Sequence, residues 1–339
     1  MSTKKIAYSI LELASIPKGG TVKQTLNDSL KVAQEAERLH YSRFWLAEHH
    51  NAEYIGSSAT SVLIGYIADN TSTIRVGSGG IMLPNHSPLI IAEQFGTLGQ
   101  LYPNRIDLGL GRAPGTDQAT AKAIRSDFMD GAHSFPEEIT KIQEYFSVDN
   151  KEAKVRVPLA EGVNVPLYIL GSSTGGASVA AQKGLPYAFA SHFASTYLHT
   201  ALHIYKEDFQ ASATLKEPYT IAGINVYVAD TDEEAQALFS SHIRMFVGVI
   251  TGVQSGIHPP TPLNDELRGL MNHPVLQQMI KYSFVGSKPT VQRQVEDFIE
   301  QTSVDELITV SIMHKVEDRI KSVQLFAEIM NDINKDKYC

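Results

Sequence analysis

Two adjacent histidines, His49 and His50, follow the apolar run RFWLA in the block AEHHN. In extended chain their side chains point to opposite faces, so they cannot easily chelate one metal together. Two readings stay open: one packs on a rim while the other is solvated, or one faces an active site as an acid or base. Ser78, Gly79 and Gly80 open the block SGGIMLPNH at the end of a second apolar run. Two glycines there mark a bulge where a ligand comes close, or only a corner of the sheet. Arg112 stands in GLGRAPGTD. Its guanidinium can grip a phosphate through two N–H bonds, or pair with a carboxylate such as Asp117. The block GSSTGG supplies Ser172, Ser173, Gly175 and Gly176 between an apolar run and a helical pattern. Small residues let backbone N–H groups approach an anion, the hydroxyls can donate, and the helix dipole adds a favourable field. The same residues also make ordinary turns. No HExxH, HxH or EF-hand spacing occurs, which points away from a metal.

The elements that carry these blocks alternate. Short apolar runs are expected as strands at Ile6–Leu11, Arg43–Ala47, Ile74–Met82, Arg105–Leu110, Leu167–Leu170, Tyr187–Ala190, Thr220–Val228 and Leu307–Ile312. Amphipathic segments between them are expected as helices. Val22 to Leu39 sets Leu26, Leu30 and Ala33 at helical spacing, and TDEEAQALF opens another helix at Asp232 with acids in its first turn. The strands lack strict polar alternation, as strands buried on both faces do. Eight strand–helix units favour a (β/α)8 TIM barrel over an open doubly wound sheet. Residues 147–164 and 249–283 lack a clear period and are expected as loop insertions in one domain spanning 1–339, the second being the candidate lid. In a barrel, chemistry sits at the carboxyl ends of the strands, and every block above falls at such an end.

Composition narrows the partners. The chain has 339 residues, 43% of them hydrophobic, enough for a large core. A net charge of -8 without a basic block argues against nucleic acid and anionic membranes as partners. No run approaches membrane-spanning length, and the lysines of MSTKKIAYSI are not followed by a signal-peptide apolar stretch. The sole cysteine, Cys339, excludes a disulfide within the chain. A cytoplasmic setting is the expectation.

The blocks FWLAEHHN, IRVGSGGIMLPNHSPLIIAEQFGTL and RIDLGLGRAPGTD, in this order and spacing, resemble the luciferase-like flavin-dependent monooxygenases, and among them the single-chain bacterial enzymes with GRAPGTD. The likeness is close over about the first 125 residues and continues through GSSTGG and VGSKPTVQRQVEDF. It implies reduced FMN across the barrel mouth, supplied by NAD(P)H or a partner reductase, with O2 and a small organic substrate. It implies a non-proline cis peptide at Gly79-Gly80, behind the flavin ring and next to Ser78. Arg112, Ser172, Ser173, Gly175 and Gly176 match the phosphate grip. His49 matches the active-site acid or base and His50 its neighbour, with Glu48 placed to orient the pair. Relatives are often homodimers. Others use a deazaflavin coenzyme as dehydrogenases, or bind flavin without catalysis. True luciferases carry a reactive cysteine at the position of Gly111, so light emission and long-chain aldehyde specificity are not implied here.

Overall fold

The computed structural model describes residues 5–127, 133–253 and 255–336; Cys339 and the first four residues of the amino-terminal block lie outside them. Eight parallel strand positions close into a barrel, with helices packed around it. The strands are β1 (Ala7–Glu12), β2 (Arg43–Leu46), β3 (Arg75–Ser78), β4 (Ile81–Met82), β5 (Ile106–Gly111), β6 (Leu167–Gly171), β7 (Tyr187–Phe189), β8 (Thr220–Ala229), β9 (Ser283–Ser287) and β10 (Glu306–Val310). The order β10-β1-β2-β3-β5-β6-β7-β8 closes through pairing of β10 with β8. The fold is the expected (β/α)8 barrel. Every residue of β2, β5, β8 and β10 is buried, because each strand has barrel interior on one face and helices on the other.

The helices are α1 (Val22–Arg38), α2 (Thr60–Asp69), α3 (Pro88–Leu101), α4 (Gln118–Ile124), α5 (Phe135–Phe146), α6 (Thr174–Lys183), α7 (Leu198–Glu207), α8 (Asp232–Thr251), α9 (Asp265–Met271), α10 (Pro274–Ile280), α11 (Lys288–Thr302) and α12 (Val316–Asp336). None of the described helices is long and apolar enough to cross a membrane. The α1 stripe is rotated slightly from its expected position: Thr25, Ser29, Val32, Ala33 and Ala36 are buried, while Leu26 and Leu30 are only partly so. Thr231 caps α8 by accepting from the Glu234 N–H.

Two segments without a sequence period hold regular structure. Residues 147–164 contain a 3-10 turn at Val148–Glu152 and no hairpin. The segment from 249 contains the end of α8, then α9 and α10, and its last residue begins β9. β9 pairs with Asn225–Ala229 of β8, while β7 pairs with Thr220–Ala222. Asn225 faces Ser283 on one edge and Val310 on the other, so β7 and β9 share one edge of β8 and fill one barrel position between them.

The third strand position is also divided. Gly77 faces Asp107 and Ile81 faces Leu110, so four steps on one strand oppose three on the other. This is a β-bulge. It holds Gly79-Gly80, whose peptide bond is cis. A Cβ on Gly80 would lie 2.7 Å from the Gly109 carbonyl oxygen, so a side chain has no room there. The Ser78 hydroxyl donates to the Gly109 carbonyl (2.8 Å) and accepts from its N–H (2.9 Å), pinning the bulge to β5.

The amino-terminal end of the barrel is closed by charge. Arg43 is buried between Asp107 (2.7 Å) and Glu306 (2.8 Å) and also donates to the Tyr168 hydroxyl (2.8 Å). Arg75 donates to the second Asp107 oxygen (2.9 Å), Trp45 Nε1 to the first (3.0 Å), and Tyr219 to Glu306 (2.8 Å). Two acids and two guanidiniums balance, and nearly every lone pair has a donor, as buried charges require. Asp107→Ala removes the carboxylate that Arg43 and Arg75 share. We expect a loss of about 3–5 kcal/mol in urea unfolding at neutral pH; a loss under about 1 kcal/mol would show that the barrel floor does not depend on the pair.

Candidate active site

The strand exits converge on a cavity of about 650 Å³ at the carboxyl end of the barrel. Glu48, just past β2, is 1% exposed at its side chain. It accepts from His50 Nε2 (2.8 Å), from His86 Nε2 (2.9 and 3.0 Å), from the Met82 N–H (3.2 Å) and from Asn85 Nδ2 (3.4 Å). Asn85 also donates to the Pro114 carbonyl (2.8 Å), and Thr116 to the His50 carbonyl (3.0 Å). One carboxylate thus ties together the exits of β2, β4 and β5. Burial alone would push its pKa up; the donors from His50, His86 and Met82 outweigh that and bring it down to about 2. Because an ionised carboxylate only accepts, both imidazoles present N–H at Nε2. Glu48, His50 and His86 place three atoms of metal-ligating type within 4.8 Å of one another. Each imidazole is already hydrogen-bonded to the carboxylate, so the group reads as a positioning network.

His49 turns to the other side, as extended backbone dictates, and lines the cavity. Its N–H is held by the Ser57 carbonyl (3.0 Å), and neither ring nitrogen has a partner among the described residues. Burial lowers its pKa, the Glu48 charge opposes this, and His50 adds to it, leaving the ring neutral at neutral pH.

Across the mouth, β6 ends at Gly171 and α6 begins at Thr174. Ser173 stands at the cap position without a side-chain cap bond, so the first N–H groups of α6 have no partner from that side chain. The Tyr187 hydroxyl holds the turn through the Ser173 carbonyl (3.1 Å). Arg112 reaches over from the β5 exit, and a Cβ on Gly175 would sit 3.0 Å from its Nη1. Glycine there lets the guanidinium lie against the turn. Asp117 does not pair with Arg112: it caps α4, accepting from the N–H groups of Ala119 (2.9 Å) and Thr120 (3.1 Å). Arg112 is exposed and makes no ion pair with a described residue.

Among the residues singled out by sequence, His49, His50, Gly79, Arg112, Ser172, Ser173 and Gly176 line the cavity. Ser78, Gly80 and Gly175 do not; they shape the wall through the bulge and the turn. Gly111 lines it too, and a side chain there would meet Met82 Cε at 2.7 Å. The Met82 thioether thus occupies the space a residue at 111 would take. Residues 7–324 match the sequence model of the luciferase-like monooxygenases. The chain belongs to the luciferase-like monooxygenase family. A luciferase-like monooxygenase of Escherichia coli K12 is 42% identical over 333 residues, covering 98% of this chain and 99% of the relative. The crystal structure of apo-MsnO8 superposes with a TM-score of 0.88 at 32% identity, covering 96% of this chain and 98% of that one. The oxygenating constituent of 3,6-diketocamphane monooxygenase from Pseudomonas putida, solved with FMN, shares the fold at a TM-score of 0.72 and 15% identity, covering 96% and 97%.

Three histidines of this luciferase-like chain receive no site role from the sequence reading, although His86 and His192 stand at strand exits. His86 lies in the block LPNH, whose residues lead from β4 into α3. His192 follows the β7 exit. His242 sits in the α8 stripe Phe239, His242, Ile243, Phe246, all of them buried. Helical spacing marked that stripe as core, and a polar member of it was the available signal. The depressed pKa of Glu48 makes a pH prediction. Unfolding returns the carboxyl to about 4.5, so the unfolded chain binds its proton more tightly. The stabilisation is full above that value and fades as pH falls toward about 2. Thermal unfolding from about pH 6 to about pH 3 should therefore lose stability more steeply in the wild type than in Glu48→Gln, which has no proton to gain. Parallel curves would mean that the carboxylate is not held ionised.

Proposed function

We propose that this chain is an FMN-dependent monooxygenase that uses reduced FMN and O2 to oxidise a small organic substrate. The observation that carries the reading is the pairing of an uncompensated guanidinium, Arg112, with the uncapped start of α6. Both face one cavity, and the combination fits a dianionic phosphate. The residues fit the rest of the coenzyme as well. Gly79 presents backbone without a side chain on the cavity wall, and the volume suits a ligand of that size. The family and the FMN-bound fold relative agree with the reading.

Bound there, reduced FMN supplies the electrons that activate O2. The chain's part is to hold and to exclude. Arg112, Ser172, Ser173 and the α6 amides anchor the phosphate. Glu48 fixes His50 and His86 and so keeps the β2 exit in place, which aims His49 into the cavity. The neutral His49 ring carries one N–H and one open nitrogen, so it can give or take a proton at a reacting oxygen. Met245 and Phe246 of α8 and Ile257 line the cavity with apolar surface, which disfavours water beside the reacting groups. In this reading the electrons come from NAD(P)H, directly or through a partner reductase, in a cytoplasmic enzyme.

Two measurements test the reading. Calorimetry with FMN and with riboflavin separates the phosphate from the ring: Arg112→Ala should weaken FMN by about ten- to a hundredfold and leave riboflavin nearly unchanged. Equal losses for both, or tighter binding of a deazaflavin coenzyme than of FMN by the wild type, would overturn it. With any substrate that the wild type oxygenates, His49→Ala should lower turnover by about 10²–10⁴-fold; an unchanged rate removes His49 from the chemistry.

A further inference from the structure

Two further histidines of the cavity have no role in the chemistry above. His192 follows β7 and is 8% exposed; His242 lies on α8 and is fully buried. Both line the cavity. Neither ring nitrogen of His192 has a partner among the described residues. His242 Nδ1 meets the Tyr227 hydroxyl at 2.6 Å, and its Nε2 has no partner among the described residues. The rings are built in. Asn225 holds the His192 carbonyl (2.6 Å), and a Cβ on Gly223 would collide with His192 Nδ1 at 2.4 Å. His242 packs against the Phe246 ring at 4.2 Å between centroids. Bare imidazole nitrogens seated so firmly in an apolar wall cost stability unless a ligand meets them.

The chemistry of that ligand follows from what surrounds the pair. The neighbouring wall is apolar: Met245, Phe246, Ile257, Val310 and Ile312. The titratable and charged groups that face the pair are His49 from the β2 exit, Tyr227 of β8 and, acting through Tyr227, Arg319 of α12, which is paired with Glu12 at 2.7 Å. None of these offers a free negative charge. The Glu48 carboxylate is saturated by its own donors. Asp117, the other carboxylate on the cavity wall, is engaged as the cap of α4, so a cationic ligand at the pair would find no free counter-charge among the described residues. Imidazole, however, can become positive on demand. Burial, with His49 and His192 as neighbours, holds His192 and His242 down at about 3, so both are neutral before a ligand arrives.

Resting on the monooxygenase reading, we propose that His192 and His242 form the polar subsite for the substrate, that the substrate carries an acidic oxygen group already ionised at neutral pH, such as a carboxylate, and that one proton enters the pair from solvent on binding. The only bond formed is an N–H bond, made to one ring with a proton taken from solvent; it gives one imidazolium facing the anion, with the second, neutral ring as hydrogen-bonding neighbour.

The test uses three probes with one phenyl body: phenylacetate, phenylethanol and phenylethylamine, titrated calorimetrically into the FMN-loaded full chain in two buffers of different ionisation enthalpy. Phenylacetate should bind about tenfold or more tighter than phenylethylamine, take up about one proton, and weaken about tenfold per unit rise in pH near neutrality. His192→Asn, a change at the cavity wall, should abolish the preference while leaving FMN affinity in place. His242→Gln gives a second, independent loss. The proposal is overturned if the amine binds as tightly as the acid, if the acid binds without proton uptake or not at all, or if neither substitution alters the ranking. If FMN fails to bind, the flavin reading falls, and the same titration on the free protein still decides the subsite.

Discussion

A carboxylate buried at a barrel mouth stays ionised only if several donors reach it, and at Glu48 they come from two strand exits, one of which ties on to a third. His50 belongs to its own exit; His86, Asn85 and the Met82 amide come from the segment after the bulge; Asn85 carries the link on to Pro114 in the β5 loop. If any donor moves, the charge loses solvation that water cannot replace there. That requirement locks the loops to one another. Because residues alternate in extended chain, it also determines where His49 must point.

The barrel divides its charged groups by end. At the amino-terminal end, Arg43, Arg75, Asp107 and Glu306 neutralise one another, and their hydrogen bonds are satisfied within the protein. At the carboxyl end, among the described residues, Arg112 has no acid, α6 has no side-chain cap, and His49, His192 and His242 keep bare nitrogens. The first arrangement is what stability asks for; the second is costly without a ligand. The bulge joins the two. Asp107, on the floor, is opposite Gly77, and two residues later Gly109 clasps Ser78 and leaves no room for a side chain at Gly80.

Most of the barrel was legible because buried parallel strands write themselves as short apolar runs, and the helices between them keep a period of 3.6. The exceptions have local causes. β9 was hidden because it completes a barrel position begun by β7, a pairing visible only in three dimensions. α4 is short, and only its Asp117 cap announced it. The mouth was partly legible. Glycines and hydroxyls at strand ends pointed to the α6 turn, and the pairing of Arg112 with Asp117, left open by sequence, is replaced by a guanidinium without an ion pair among the described residues. The donors to Glu48 were harder to see, because His86 reaches it across 38 positions of chain, and His242 because a helix stripe reads as core whichever residue fills it.

The central claim is that Arg112 and the α6 amides grip a phosphate while His49 faces the ring that phosphate anchors. A crystal structure of the complex with FMN tests this most directly. The account predicts the phosphate between the Arg112 guanidinium and the N–H groups that follow Ser173, with the flavin ring over Gly79 and the His49 imidazole beside it. A phosphate placed elsewhere, or a flavin ring away from His49 and Gly79, would contradict it.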